Sequence, residues 1–278
     1  MDRRDFLSLT GAAAAGLALP GTASTALAEV AGAPSTAKAP AATPGWKLYE
    51  TTTRVEVKNA AGVTRVWLPT PLTQDTAYHR SLGNTWRADG GKTAQWIDPA
   101  YNAGVVWAEF PAGVRPEIEL TSRFATRDIA VDLSKPGNAP AETPATLARF
   151  TAATDLLPTG GVVKATSAGI VKGAKNDLEK AKAIYEWIVE STFRDPKVRG
   201  CGVGDVKFML ENELLGGKCA DLNALFVALA RAEGIPARDV YGIRVAPSAL
   251  GYASLGKGGG IITKAQHCRA EFYLPTHG

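Results

Sequence analysis

The sequence predicts an α+β protein: an N-terminal antiparallel β-sandwich followed by a separate α+β domain. Three observations carry that prediction. From Trp46 to about Leu133, β-branched and aromatic residues alternate with polar ones, and no long helical period appears. "SKPGNAPAETPA", Ser134 to Ala145, then concentrates prolines and turn formers. Beyond it the apolar residues take up helical spacing, and only later do they alternate again. The expected boundaries are 1–28 for an export signal, 29–45 for an Ala/Pro linker, 46–134 for the β-sandwich and 146–278 for the second domain.

The leader is read from "DRRDFLSLT", the short weakly apolar run "GAAAAGLALPG" and the small-x-small pattern at Ala26 to Ala28. The run is too short to span a bilayer, and the paired Arg3 and Arg4 resemble a twin-arginine-type export signal. An exported, periplasmic or extracellular protein is expected, with no integral membrane segment after cleavage. "VAGAPSTAKAPAATPG" cannot build a core and is expected to be a tether. A net charge of +4 without any Lys/Arg block gives no footprint for nucleic acid.

In the first domain, "YETTTRVEV" and "GVTRVWLPTP" flank the turn "NAAG", and "AQWIDPAYNAGVVWAEFPAG" and "PEIELTSRFATRDIAVDL" continue in the same style. In the second, "NDLEKAKAIYEWIVEST" has apolar residues at 178, 181, 184, 185 and 188, with Asn176 and Glu179 as a capping box. "LNALFVALARAEGIPAR" repeats the period at 222, 225, 226 and 229 before Gly234 and Pro236 stop it. The strands "RDVYGIRVA" and "KAQHCRAEFYL" follow.

Chemistry enters at "GGKCADLNALFVALARAEGIPAR". Cys219 stands where a helix begins, so unpaired N–H groups and the dipole favour its thiolate, and Lys218 acts in the same direction. The bland alternative is a small buried hydrophobe. In "AQHCRAEFYL", alternation sends Cys268, Ala270, Phe272 and Leu274 to a core face, and His267, Arg269, Glu271 and Tyr273 to a polar face that could line a cleft. His267 there could take the thiol's proton and return it to a leaving amine; the alternative is a solvated His on a sheet face. Three cysteines in an oxidising compartment suggest one disulfide and one free thiol. A Cys201–Cys268 bridge is expected, leaving Cys219 free.

Together these segments resemble the transglutaminase-like superfamily, over roughly Leu147 to Gly278. The resemblance rests on Gly-x-Cys, the apolar helix, "GIPAR" and the distant His, with "AKAIYEWIVEST" similar to the helix that precedes the Cys helix in that family. It implies a papain-like Cys-His-Asp arrangement with Cys219 as nucleophile and His267 as base. The family's acid follows a Gly-Trp turn on the next strand, so the domain is expected to be truncated before its third member. Glu271, four residues along from His267, is about 13 Å away and cannot orient the ring.

The implied function is cysteine-dependent acyl transfer on peptide or protein amides through a thioester, with hydrolysis favoured over cross-linking. Peptides, proteins or cell-wall peptides would be the substrates. The alternative is a non-catalytic envelope module with a degenerate version of the same fold. No cofactor is implied, since Cys-x-x-Cys, His-x-x-x-His and Asp-rich loop spacings are all absent. "GGKC" fails as a phosphate loop, and "GKGGG" reads as a loop beside the cleft. A Gly-x-Ser-x-Gly elbow is missing, which argues against a serine hydrolase. His79 is expected in a loop and His277 near the chain end, both without partners.

Overall fold

The computed structural model describes residues 45–129, 131–138, 140–247 and 260–277; the leader, nearly all of the linker and most of "GKGGG" lie outside them. The chain divides into two compact units between residues 129 and 130.

Among the described residues of the first unit, six strands form two antiparallel sheets of three. They are β1 (Lys47–Glu56), β2 (Thr64–Pro69), β3 (His79–Arg87), β4 (Lys92–Ile97), β5 (Gly104–Phe110) and β6 (Glu117–Thr126). The orders are β1-β6-β3 and β2-β5-β4. Alternation delivers Val66 and Leu68 from β2, Val106, Ala108 and Phe110 from β5, and Ile118 and Leu120 from β6 into one buried cluster. β3 is the strand that alternation does not reveal, because a bulge between Ser81 and Asn84 breaks its period against β6. His79 opens β3 rather than lying in a loop. It is buried, its Nε2 lies 3.1 Å from the carbonyl oxygen of Leu72, and burial holds its imidazole pKa below the ordinary value.

The second unit is mixed. Its elements are α1 (Pro144–Thr151), α2 (Gly161–Ile170), α3 (Asp177–Ser191), β7 (Phe193–Arg194), α4 (Val206–Glu211), β8 (Gly216–Gly217), α5 (Cys219–Ala232), β9 (Ala237–Ile243) and β10 (Gln266–Phe272). The N-cap expected for α3 forms, with Asn176 Oδ1 accepting from Glu179 N at 2.9 Å, but the return bond to Glu179 Oε2 comes from Lys175 N, one residue before the cap, at 2.8 Å. Ala181, Ile184 and Ile188 turn inward as the spacing predicts. α5 is buried more completely than its expected stripe, with residues 224–231 all buried. It is the central element: α2, α3 and α4 pack on it together with the antiparallel pair β9–β10. Ser167 Oγ donates to the Leu229 carbonyl at 2.8 Å, tying α2 to its middle. Lys164 Nζ caps its last turn at the carbonyl of Ala232, 2.8 Å away. Among the described residues no helix is long and apolar enough to cross a membrane.

Candidate active site

Cys219 is the first residue of α5, as expected, but the residue that builds this helix start is Asp221. Its carboxylate is 7% exposed and accepts three backbone hydrogen bonds, each 2.9 Å long. Oδ2 takes Lys218 N, which closes the cap; Oδ1 takes Val203 N and Gly204 N, which hold the 201–204 loop against the helix. Ala220 N completes the clamp by donating to the carbonyl of Cys201 at 2.9 Å. The glycines around it are there for close approach. A Cβ on Gly217 would sit 2.6 Å from Asp221 Cβ, and one on Gly216 would sit 2.5 Å from the Phe193 ring. The Gly-Gly pair before Cys219 thus makes room for Phe193 and Asp221.

Gly202 is the most constrained position. Its φ is +99°, and a Cβ there would lie 1.9 Å from Asp221 Oδ2. Gly202→Ala is expected to cost about 3 kcal/mol in urea unfolding, because it combines left-handed strain with displacement of a buried carboxylate. A loss below about 0.5 kcal/mol, the scale of a neutral surface change, would show that the clamp does not depend on this approach.

The clamp brings together what the sequence keeps apart. The Sγ atoms of Cys201, Cys219 and Cys268 lie within 4.8 Å of one another, and all three cysteines are half-buried and free. The expected Cys201–Cys268 disulfide is therefore not formed. The three cysteines come from a loop, a helix start and a strand, so no local spacing in the sequence marks the group. The Cys219 thiol is held down to about 5, first by the hydrogen bond from the Cys268 thiol, with Cys201 helping and burial opposing. The Cys268 thiol is pushed up, first by that same bond and then by burial; burial is the first cause of the rise at Cys201. One thiolate at Cys219, bonded by two thiols, is the state this arrangement favours.

One expectation about β10 is corrected, namely where the Cys268 face leads. Cys268 does turn toward α5 with Ala270 and Phe272, but this face leads to Cys219 rather than away from it. Phe272 lies 5.7 Å from the Phe226 ring of α5. His267 pairs across the ribbon with Gly242, and alternation sends its side chain to the other face, with Arg269 and Glu271. Glu271 on that face is engaged by Arg238 and Arg269, each at 2.9 Å. Asn223, which the sequence did not single out, joins the elements: its Nδ2 donates to the carbonyls of Cys219 at 2.7 Å and Cys268 at 3.2 Å. His277 is not without a partner either, as its Nδ1 lies 2.8 Å from Thr276 Oγ1.

Register also brings Asp239 and Tyr241 onto the Cys268 face, opposite Ala270 and Cys268. Asp239 Oδ1 has no hydrogen-bond partner among the described residues, and burial lifts the carboxyl to about 6, with Arg231 pulling the other way. The Tyr241 hydroxyl is pushed up, first by burial and then by Asp239. A carboxyl whose folded pKa is raised binds its proton more tightly when folded, so it opposes folding increasingly as pH rises from about 4 to 6. Asp239→Asn should therefore raise stability above pH 6 by up to about 3 kcal/mol, the cost of a shift of roughly two units. The gain should vanish near pH 4. Urea midpoints of both proteins from pH 4 to 8 read the difference; a pH-independent difference would remove the buried charge as its cause.

Residues 164–278 match the family described as the transglutaminase-like superfamily. An uncharacterized protein of Haemophilus influenzae is 46% identical over 134 residues, covering 45% of this chain and 36% of its own length. The chain thus spans little more than a third of that relative. The crystal structure of a candidate cysteine protease from Cytophaga hutchinsonii superposes with a TM-score of 0.60 at 15% identity, over 82% of this chain and 72% of the other, a likeness of fold. The periplasmic domain of TgpA from Pseudomonas aeruginosa aligns at a TM-score of 0.43 and 16% identity, over 76% of this chain and 73% of the other. With its buried helix opened by Cys219 and the β9–β10 ribbon packed on that helix, the segment 164–278 is a domain of the transglutaminase-like superfamily.

Proposed function

We propose that the chain is an exported, cysteine-dependent acyl-transfer enzyme acting on peptide or protein amides, with hydrolysis favoured over cross-linking. The observation that carries this reading is Cys219 at the first position of α5, kept as a thiolate by two neighbouring thiols. The thiolate attacks the amide carbonyl. The tetrahedral oxyanion takes the backbone N–H of Cys219, one of the first helical donors without an intrahelical acceptor. The neighbouring N–H of Ala220 is already given to Cys201. His267, one residue from Cys268, protonates the departing amine once its ring turns from the outer face of β10 toward Cys219; water then cleaves the thioester and returns Cys219. The paired arginines and small-residue cleavage pattern of the leader support an envelope setting. Protein or cell-wall peptides are the substrates that setting offers. The six strands of 45–129 fit a β-sandwich that would dock such a substrate or a partner.

A second reading, a scaffold that retains the fold without the chemistry, is favoured by one observation. In the register of β10 against β9, strand alternation puts His267 on the face opposite Cys268. p-Nitrophenyl acetate separates the two. The enzyme releases one equivalent of nitrophenolate in a burst that Cys219→Ser abolishes, and His267→Ala slows the turnover that follows. A burst unchanged in Cys219→Ser would end the acyl-transfer reading.

A further inference from the structure

We propose that Cys201, Cys219 and Cys268 form a trithiolate site for a thiophilic d10 cation, Cu+ or Zn2+, whose binding closes the nucleophile to substrate. The inference shares Cys219 with the acyl-transfer reading; its metal-binding part stands without it, and its regulatory part rests on it.

A cation held at metal–sulfur distances of about 2.3 Å needs its sulfurs roughly 3.8–4.0 Å apart, from tetrahedral to trigonal geometry. The three Sγ atoms already lie within 4.8 Å of one another, so at most a small contraction completes the site. Each ligand's backbone carbonyl is held. That of Cys201 takes Ala220 N at 2.9 Å, and Asn223 Nδ2 donates to those of Cys219 at 2.7 Å and Cys268 at 3.2 Å. The donor set is all sulfur, with no His, Asp or Glu in the group among the described residues. Such a set selects soft cations over Mg2+ or Ca2+. Three sulfurs suffice for Cu+, whereas Zn2+ would add a water as fourth ligand. Binding converts the thiols that carry protons into thiolates and releases those protons to solvent. Metal–sulfur bonds form, no redox change occurs, and the Cys219 lone pair is then committed to the metal.

The test uses the full chain, reduced and stripped with a chelator. Cu+ and Zn2+ are titrated separately against a chromophoric competitor, and iodoacetamide labelling is mapped by mass spectrometry. The expected result is one equivalent of cation bound and protection of all three cysteines together. Cys201→Ser, Cys201→Ala and Cys268→Ser should each weaken binding at least about tenfold, the scale seen for loss of even a supporting contact. Circular dichroism shows that each variant is folded. The tighter cation identifies the source. Equal affinity in the wild type and all folded variants, or labelling of Cys219 undiminished by bound metal, overturns the proposal. One-equivalent binding in a protein that gives no p-nitrophenyl acetate burst when metal-free would keep the metal site and remove the acyl-transfer reading. A burst that stoichiometric metal leaves intact would do the opposite.

Discussion

Asp221→Ala should lose about 4 kcal/mol of stability, the largest single-residue effect expected in the second unit. The side chain is 7% exposed and accepts three backbone N–H groups, from Lys218, Val203 and Gly204. Removing it strands buried donors, each costing about 1–3 kcal/mol unless water reaches it. It also removes an N-terminal anion from the helix, worth about 0.3–1 kcal/mol. Asp221→Asn keeps an acceptor oxygen but presents an amide where one N–H now points, so a loss of about 1–2 kcal/mol is expected. Urea unfolding measures both. The same variants should free the 201–204 loop, so Cys201 should become more readily alkylated in Asp221→Ala even below the unfolding transition. A stability loss without any gain in Cys201 labelling would mean that Asp221 caps the helix but does not set the position of the loop.

This carboxylate marks where the sequence was and was not legible. α3 and α5 could be read because their apolar spacing and stop signals are local, and so could the strands that alternate without interruption. β3 could not, since its bulge interrupts the period. α1, with 8 residues, and α4, with 6, are too short to show a period, and α2 mixes Gly, Thr and Ser into its turns. Cys219 was legible as a nucleophile candidate because glycines and an apolar helix flank it. The role of Asp221 was not, because its partners lie 17 and 18 residues upstream on a loop that has no pattern. The thiol cluster was hidden for the same reason. Alternation correctly turned Cys268 to the face of Ala270 and Phe272, yet only the packing of α5 on that face shows that it leads to Cys219. Gly202 offers the one local hint, since a glycine beside a cysteine in "RGCGVGDV" often marks a backbone that must pass close to something.

In metal-free protein, the alkylation rate of Cys219 by iodoacetamide should rise through an inflection near pH 5 and be flat by about pH 7. An ordinary thiol is still climbing through roughly 8.5. The sign follows from the reactive species: only the thiolate attacks, and its fraction grows as pH passes the pKa. The inflection is the diagnostic, not the plateau. A thiolate of lower pKa is intrinsically the weaker nucleophile, with a Brønsted slope of about 0.4–0.5, so its plateau rate is depressed while its curve moves to acid. Cys268→Ala, which removes the principal donor, should shift the inflection upward; Cys201→Ala should shift it less. His267→Ala should leave it in place, because the stabilising bonds come from sulfur rather than imidazole. Should His267→Ala move the inflection while Cys268→Ala does not, the thiolate would be an imidazolium ion pair and the neighbouring thiols mere packing. An inflection near 8.5 in the wild type would mean that the helix start and its two thiols leave Cys219 unactivated, and acyl transfer would lose its nucleophile.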